Sequence, residues 1–195
     1  MQNENIDCLK LAPSSYTRRA RTMSQYKRIF IIGHSGAGKG ILAKAVAEKL
    51  GWQFLDADFS LAPSIGRSMS EIIGDQGEKA FHHCLSEILS HQLSKENIVV
   101  TTDDSIVCNE KCRQLLSSEF TVNLKVSTAV QLERMSHNRP LLPLADYAAF
   151  LDRLHHERDA LYEQVASFSV NSDLATPDNN GLEEHVLSIV KAIGK

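Results

Sequence analysis

Arg28-Ile29-Phe30-Ile31-Ile32 runs directly into Gly33-His34-Ser35-Gly36-Ala37-Gly38-Lys39, and a helical pattern follows from Lys39 to Leu50. An apolar strand, a glycine-rich turn and a helix in that order are the context in which a phosphate-loop (Walker A) motif becomes a structural expectation. Backbone N–H groups of such a turn converge, and with the positive end of the helix dipole they form a cradle for polyphosphate. Gly33, Ser35, Gly36, Ala37, Gly38 and Lys39, with Gly40 and Ile41 behind them, are therefore the candidate nucleotide-binding residues. Gly36 and Gly38 permit close backbone approach, and Lys39 reaches the outer phosphates. The pattern points to a nucleotide-binding enzyme, most simply a kinase. One position departs from it: Gly40 stands where a Ser or Thr hydroxyl would meet magnesium.

Outward from this segment, short apolar runs alternate with helical patterns, as in a parallel α/β sheet. Strands are predicted at 28–33, 53–56, 97–102, 121–126 and 167–171. Leu42, Val46 and Leu50 form one apolar helical stripe, and Phe81, Leu85, Ile88 and Leu89 another. Further helices are predicted at 110–116, 129–135, 147–165 and 182–193. Five strands with helices on both faces predict a three-layer α/β/α fold of the nucleoside-monophosphate-kinase type. Its ligands belong at the carboxyl ends of the strands.

The 195 residues suit one domain with a substantial core. Its longest apolar runs are too short to cross a bilayer, and a net charge of −3 disfavours a nucleic-acid binder. Cys8, Cys84, Cys108 and Cys112 show no CxxC spacing, so reduced thiols of a cytoplasmic protein are expected. Residues 1–26 are polar, carry Arg18, Arg19 and Arg21, and read as a disordered leader, with Met23 as an alternative start. The kinase domain is then 27–195, taken as a monomer acting on a small molecule, with a lid near 136–147.

The second strand ends at Asp56-Ala57-Asp58, two carboxylates near the phosphate loop that can support magnesium or accept a hydrogen bond from a substrate hydroxyl. Arg67 precedes Ser68, a candidate helix cap with Glu71 three positions on. A guanidinium there can grip a carboxylate at two points, as can Arg158. Arg139, in Asn138-Arg139-Pro140-Leu141-Leu142, sits where a mobile lid would carry it onto a transferring phosphoryl group. His82-His83 and His155-His156 do not chelate as adjacent pairs, because neighbouring helical side chains point about 100° apart. His34 is expected to flank the phosphates.

Together these features resemble shikimate kinase over nearly all of residues 28–193. The resemblance rests on the phosphate loop, Phe54-Leu55-Asp56-Ala57-Asp58, Ile65-Gly66-Arg67-Ser68, Gly77-Glu78 with Phe81, Arg139-Pro140-Leu141-Leu142, and Glu157-Arg158-Asp159-Ala160-Leu161-Tyr162. It implies transfer of the γ-phosphate of ATP to the 3-hydroxyl of shikimate, with Mg²⁺. By position, Lys39 would contact the β- and γ-phosphates, Asp58 would orient the attacking hydroxyl, and Asp56 would support magnesium. Arg67 and Arg158 would clamp the substrate carboxylate and Arg139 would close over the phosphates. Arg134 would pack on the adenine, with the stretch from Ser172 to Pro177 along the base.

Three departures from the family follow. Gly40 and Ile41 lack the usual hydroxyl; adenylate kinases share the Gly-Lys-Gly but follow it with Thr. After the third strand, where the family carries three glycines lining the substrate pocket, this chain has Asp103-Asp104-Ser105. Two carboxylates facing an anionic acceptor at ~4 Å would cost on the order of 4 kcal/mol, or ~10³ in affinity, at an effective dielectric of 20. Either they turn away or the acceptor differs, and Asp103 is a candidate replacement for the metal support that Gly40 lost. Finally, His82 and Leu85 stand where the family has an arginine and an acid. The alternatives to shikimate phosphorylation are a changed acceptor on the same fold and a nucleotide-binding pseudoenzyme.

Overall fold

The computed structural model describes residues 26–59, 67–136, 144–174 and 180–194. The expected leader, most of the lid with Arg139, and Pro177 lie outside these residues. Five strands form one parallel sheet in the order β2-β3-β1-β4-β5. They are β1 (Arg28–Ile32), β2 (Gln53–Leu55), β3 (Ile98–Thr101), β4 (Phe120–Lys125) and β5 (Phe168–Asn171). The helices are α1 (Lys39–Leu50), α2 (Met69–Gln92), α3 (Glu110–Ser117), α4 (Thr128–Ser136), α5 (Leu144–Val165) and α6 (Asn180–Ala192). Every strand predicted from the sequence is present within a residue or two, and the three-layer architecture is as expected.

Alternation along β1 shows why both faces are covered. Ile29 and Ile31 point into one layer with Leu42, Val46, Val186 and Ile189 of α1 and α6. Phe30 and Ile32 point into the other, with Leu85, Leu89, Leu116 and Tyr162 of α2, α3 and α5. A central strand with two buried faces reads as a continuous apolar run rather than an alternating one. Met135 with Tyr147, Phe150, Leu151 and Leu154 forms a smaller apolar cluster joining α4 to α5. Helix α2 begins with the predicted capping box, Ser68 accepting from the Glu71 N–H and Glu71 from the Ser68 N–H. It is kinked where Gly74 leaves helical geometry at φ 71°.

The neighbouring strands β1 and β3 feed helices on opposite faces, α1 on one and α3 on the other. Their carboxyl ends therefore diverge and open a crevice, the place where doubly wound sheets bind ligands. Among the described residues no helix is long and apolar enough to cross a membrane. Cys84, Cys108 and Cys112 are free thiols.

Candidate active site

At the crevice, β1 ends in a turn that only glycine can begin. Gly33 has φ +136°, and a Cβ there would lie 2.4 Å from the carbonyl oxygen of Leu124 on β4. The chain can thus turn tightly across the sheet edge and enter α1. Gly38, the N-cap of α1, is left-handed and provides no side-chain cap. The first-turn N–H groups of α1 have no intrahelical acceptor and receive none from the Gly38 cap, which leaves the donor set a phosphate needs. Lys39 is buried, its ammonium donating to the carbonyls of Gly33 at 2.9 Å and His34 at 3.0 Å and pairing with Asp58 Oδ2 at 3.0 Å. Three acceptors match the three protons of an ammonium.

Asp58 reaches Lys39 because β3 pins the end of β2. Thr101 Oγ1 donates to Asp56 Oδ1 and accepts from the Ala57 N–H, and Asp56 Oδ1 also accepts from the Asp58 N–H. Of the two carboxylates singled out in the sequence, Asp58 meets the phosphate loop at Lys39, while Asp56 is held by Thr101 and faces a separate cavity with Phe59, Glu87 and His91. Around the loop, Arg134 of α4 donates to the carbonyls of Gly36 and Ala37 and to Ser172. A cavity of about 590 Å³ opens there, lined by the loop, Ile41, Asp58, Arg134, Leu182 and His185. Arg134 and Ser172 thus line the cavity beside the loop, with the Arg134 guanidinium tied to the loop carbonyls.

The segment after β3 resolves the two aspartates differently. Asp103 folds back onto its own turn, its Oδ1 accepting from the N–H and hydroxyl of Ser105 at 2.9 and 2.6 Å. One of its oxygens is thereby committed to structure. Asp104 turns toward Arg158 of α5, Oδ1 to Nη1 at 3.2 Å, with both side chains buried. Among the described residues, Asp104 Oδ2 and both Nε and Nη1 of Arg158 are buried without a hydrogen-bond partner, so the 3.2 Å contact is an ion pair without hydrogen-bond geometry. Burial pushes the Asp104 carboxyl up to about 6, with Arg158 drawing it down and Asp103 adding to the rise. Burial alone would lower the Arg158 guanidinium, but the Asp104 charge carries it above its ordinary value. Tyr162 closes the arrangement by donating to the Asp104 carbonyl at 2.6 Å. Arg67 is exposed and donates to the Glu71 carbonyl at 2.9 Å, so it lies at the start of α2 rather than on the Asp104–Arg158 pair. Leu85, in place of the family's acid, is a core residue, and His82 Nε2 is buried with no partner among the described residues.

One group was not legible in the sequence. His34, expected to flank the phosphates, is buried and turned onto α5, where its Nε2 lies 2.7 Å from Asp159 Oδ1. His155, one turn before Asp159, places Nδ1 3.1 Å from Oδ2 of the same carboxylate. Burial, only partly opposed by the Asp159 hydrogen bond, lowers the His34 imidazole to about 4. The His155/Asp159 spacing of four is visible in the sequence; its meeting with His34 is not.

Comparison with known proteins places this site in a family. The family model described as shikimate kinase matches residues 35–194. The shikimate kinase of Francisella tularensis subsp. holarctica is 35% identical over 161 residues, spanning 80% of this chain and 92% of that protein. The structure of the shikimate kinase from Acinetobacter baumannii in complex with shikimate superposes with a TM-score of 0.67 at 26% identity, covering 88% of this chain and 94% of that one. That of the Bacteroides thetaiotaomicron shikimate kinase gives 0.70 at 26% identity, over 85% and 96%. With the phosphate loop, the strand-end carboxylates and the buried guanidinium of α5 in the expected order, these matches lead to one conclusion: the chain belongs to the shikimate kinase family.

Proposed function

We propose that this kinase transfers the γ-phosphate of ATP to the 3-hydroxyl of shikimate. The observation that carries the reading is the 3.0 Å contact between Lys39 and Asp58. It puts a carboxylate able to orient an attacking hydroxyl beside the cation that would meet the transferred phosphate. Because the three protons of Lys39 are already taken by Gly33, His34 and Asp58, an arriving phosphate must displace one of them. Displacing Asp58 from Lys39 turns its carboxylate toward the acceptor, so nucleotide binding prepares the acceptor site. The loop N–H groups hold the phosphates, Arg139 closes over them, and Arg158 grips the substrate carboxylate, with Arg67 leaving the Glu71 carbonyl to join it. Catalysis then rests on positioning and charge stabilisation, as is usual for phosphoryl transfer.

Mg²⁺ fits the residues in an indirect way. Gly40 offers no hydroxyl, but Asp58 stands beside the loop and, with Asp56 two residues before it, would hold the ion through water, with Asp103 a weaker third member because Ser105 occupies one of its oxygens. Bound with ATP, the ion neutralises charge on the phosphates. The reading takes the enzyme as a cytoplasmic monomer.

The Asp104–Arg158 pair favours a second reading, an acceptor that lacks a carboxylate. The guanidinium assigned to that carboxylate already faces an internal one. ADP release by the purified full chain with Mg-ATP, with and without shikimate, separates the two. Shikimate-dependent release supports the first reading. Its absence from folded protein, with release stimulated by neutral or amino-bearing polyols, moves the assignment to the second.

A further inference from the structure

We propose that His34, His155 and Asp159 form a binding site for a borderline transition-metal cation, of the zinc and cobalt class, that ties the phosphate loop to α5. The site is separate from the one assigned to Mg-ATP and does not depend on the identity of the acceptor.

The hydrogen bonds around the cluster determine where its protons lie. Gln131 Nε2 donates to the Ser35 carbonyl at 2.7 Å, which orients the amide and presents its oxygen to His155 Nε2 at 3.1 Å. His155 Nε2 must therefore carry a proton. A neutral ring then has a bare Nδ1, and that nitrogen faces both oxygens of Asp159 at 3.1 and 3.2 Å. A lone pair aimed at a carboxylate requires a positive charge between them. His34 approaches the same carboxylate at 2.7 Å, and its other nitrogen, Nδ1, is buried with no partner among the described residues, so none of them holds the ring elsewhere by a competing hydrogen bond.

One donor atom from each residue lies within 4.8 Å of the others. Ligands ~2.1 Å from a shared ion stand ~3.0–3.4 Å apart, so the Asp159 oxygens, now 2.7 and 3.1 Å from the two imidazoles, would move slightly outward and the imidazole nitrogens adjust within their 4.8 Å envelope. Two imidazoles and one carboxylate select a borderline ion over magnesium, which prefers oxygen throughout. The Gln131–His155 contact is the outer hydrogen bond that a metal-bound imidazole usually makes. Asp159 is 58% exposed, leaving an open side for water and entry, and with His34 it lines a cavity of about 240 Å³. Three protein ligands with an open side describe an exchangeable site rather than a closed structural one.

The test is a Co²⁺ titration of tag-free, chelator-stripped full-length protein, followed by its visible absorption. The proposal expects one equivalent bound, no thiolate-to-cobalt band, displacement by Zn²⁺ and resistance to excess Mg²⁺. His155→Gln and Asp159→Asn should each abolish the spectrum in protein shown to be folded. Gln131→Ala should weaken binding about 10–100-fold through loss of ligand orientation, and His83→Ala should change nothing. A measurement on the unaltered chain guards against variants that fail to fold: Co²⁺ should shift the proton resonances of two histidines. No stoichiometric binding, a thiolate band, or a spectrum surviving in folded His155→Gln would overturn the proposal, leaving a proton as the charge between His155 and Asp159.

Discussion

Replacing Asp104 by Asn probes the acceptor site at the point where this chain departs from its family. The carboxylate lies 3.2 Å from the Arg158 guanidinium, where a substrate carboxylate would have to compete with it. An acceptor carboxylate held ~4 Å from Asp104 meets a repulsion of about 4 kcal/mol at an effective dielectric of 20. Removing it should lower KM for shikimate by on the order of 10²–10³-fold, with a smaller effect on kcat. The assay is coupled ADP release across a shikimate titration at saturating ATP. Stability supplies an internal control. Leaving Arg158 unpaired costs roughly 3–5 kcal/mol, but the variant also sheds a desolvated charge. Asp104's carboxyl is raised from 3.8 to about 6 in the fold, so the native state holds that proton more tightly than the unfolded chain does. Its stabilisation is complete below pH ~4 and is lost as pH rises through 6, about 3 kcal/mol in all. Urea unfolding of the wild type should show this decline, and Asp104→Asn should flatten it. A KM within threefold of the wild type, in folded variant protein, would refute the argument that Asp104 competes with the acceptor carboxylate for Arg158.

Lys39→Met should reduce turnover by at least ~10²–10³-fold, since it removes the preorganised cation at the phosphates, with circular dichroism unchanged. Gly40→Ser adds a side chain into open space, because a Cβ there meets nothing within 4 Å among the described residues. It should leave Tm within a few degrees and lower KM for Mg-ATP by supplying the missing hydroxyl; an unchanged KM would argue against magnesium at that position. Gly33→Ala, by contrast, drives a Cβ to 2.4 Å from Leu124 O at φ +136°. It should destabilise by roughly 3 kcal/mol or more in urea titration, whereas a stability equal to wild type would refute that account of the turn.

The sequence alone determined the architecture and half of the site. Strands buried on both faces appear as unbroken apolar runs, and the phosphate loop is a local motif whose strand, turn and helix are contiguous, so neither needs tertiary information. Asp56 and Asp58 were legible for the same reason: a strand end next in order to the loop has few places to go. What Asp103, Asp104 and His34 do was decided only by the fold. Asp103 satisfies its own turn through a local hydrogen bond, while Asp104 finds a guanidinium 54 positions further on, from 104 to 158. Both begin as strand-end carboxylates, and the partner each finds separates a structural turn from a buried charge pair. His34 likewise meets Asp159 across 125 residues, because the loop after β1 and the last turns of α5 converge at one end of the sheet. Sequence periodicity reports which face of an element is buried; it carries no information on which side chains from distant elements arrive at the same point.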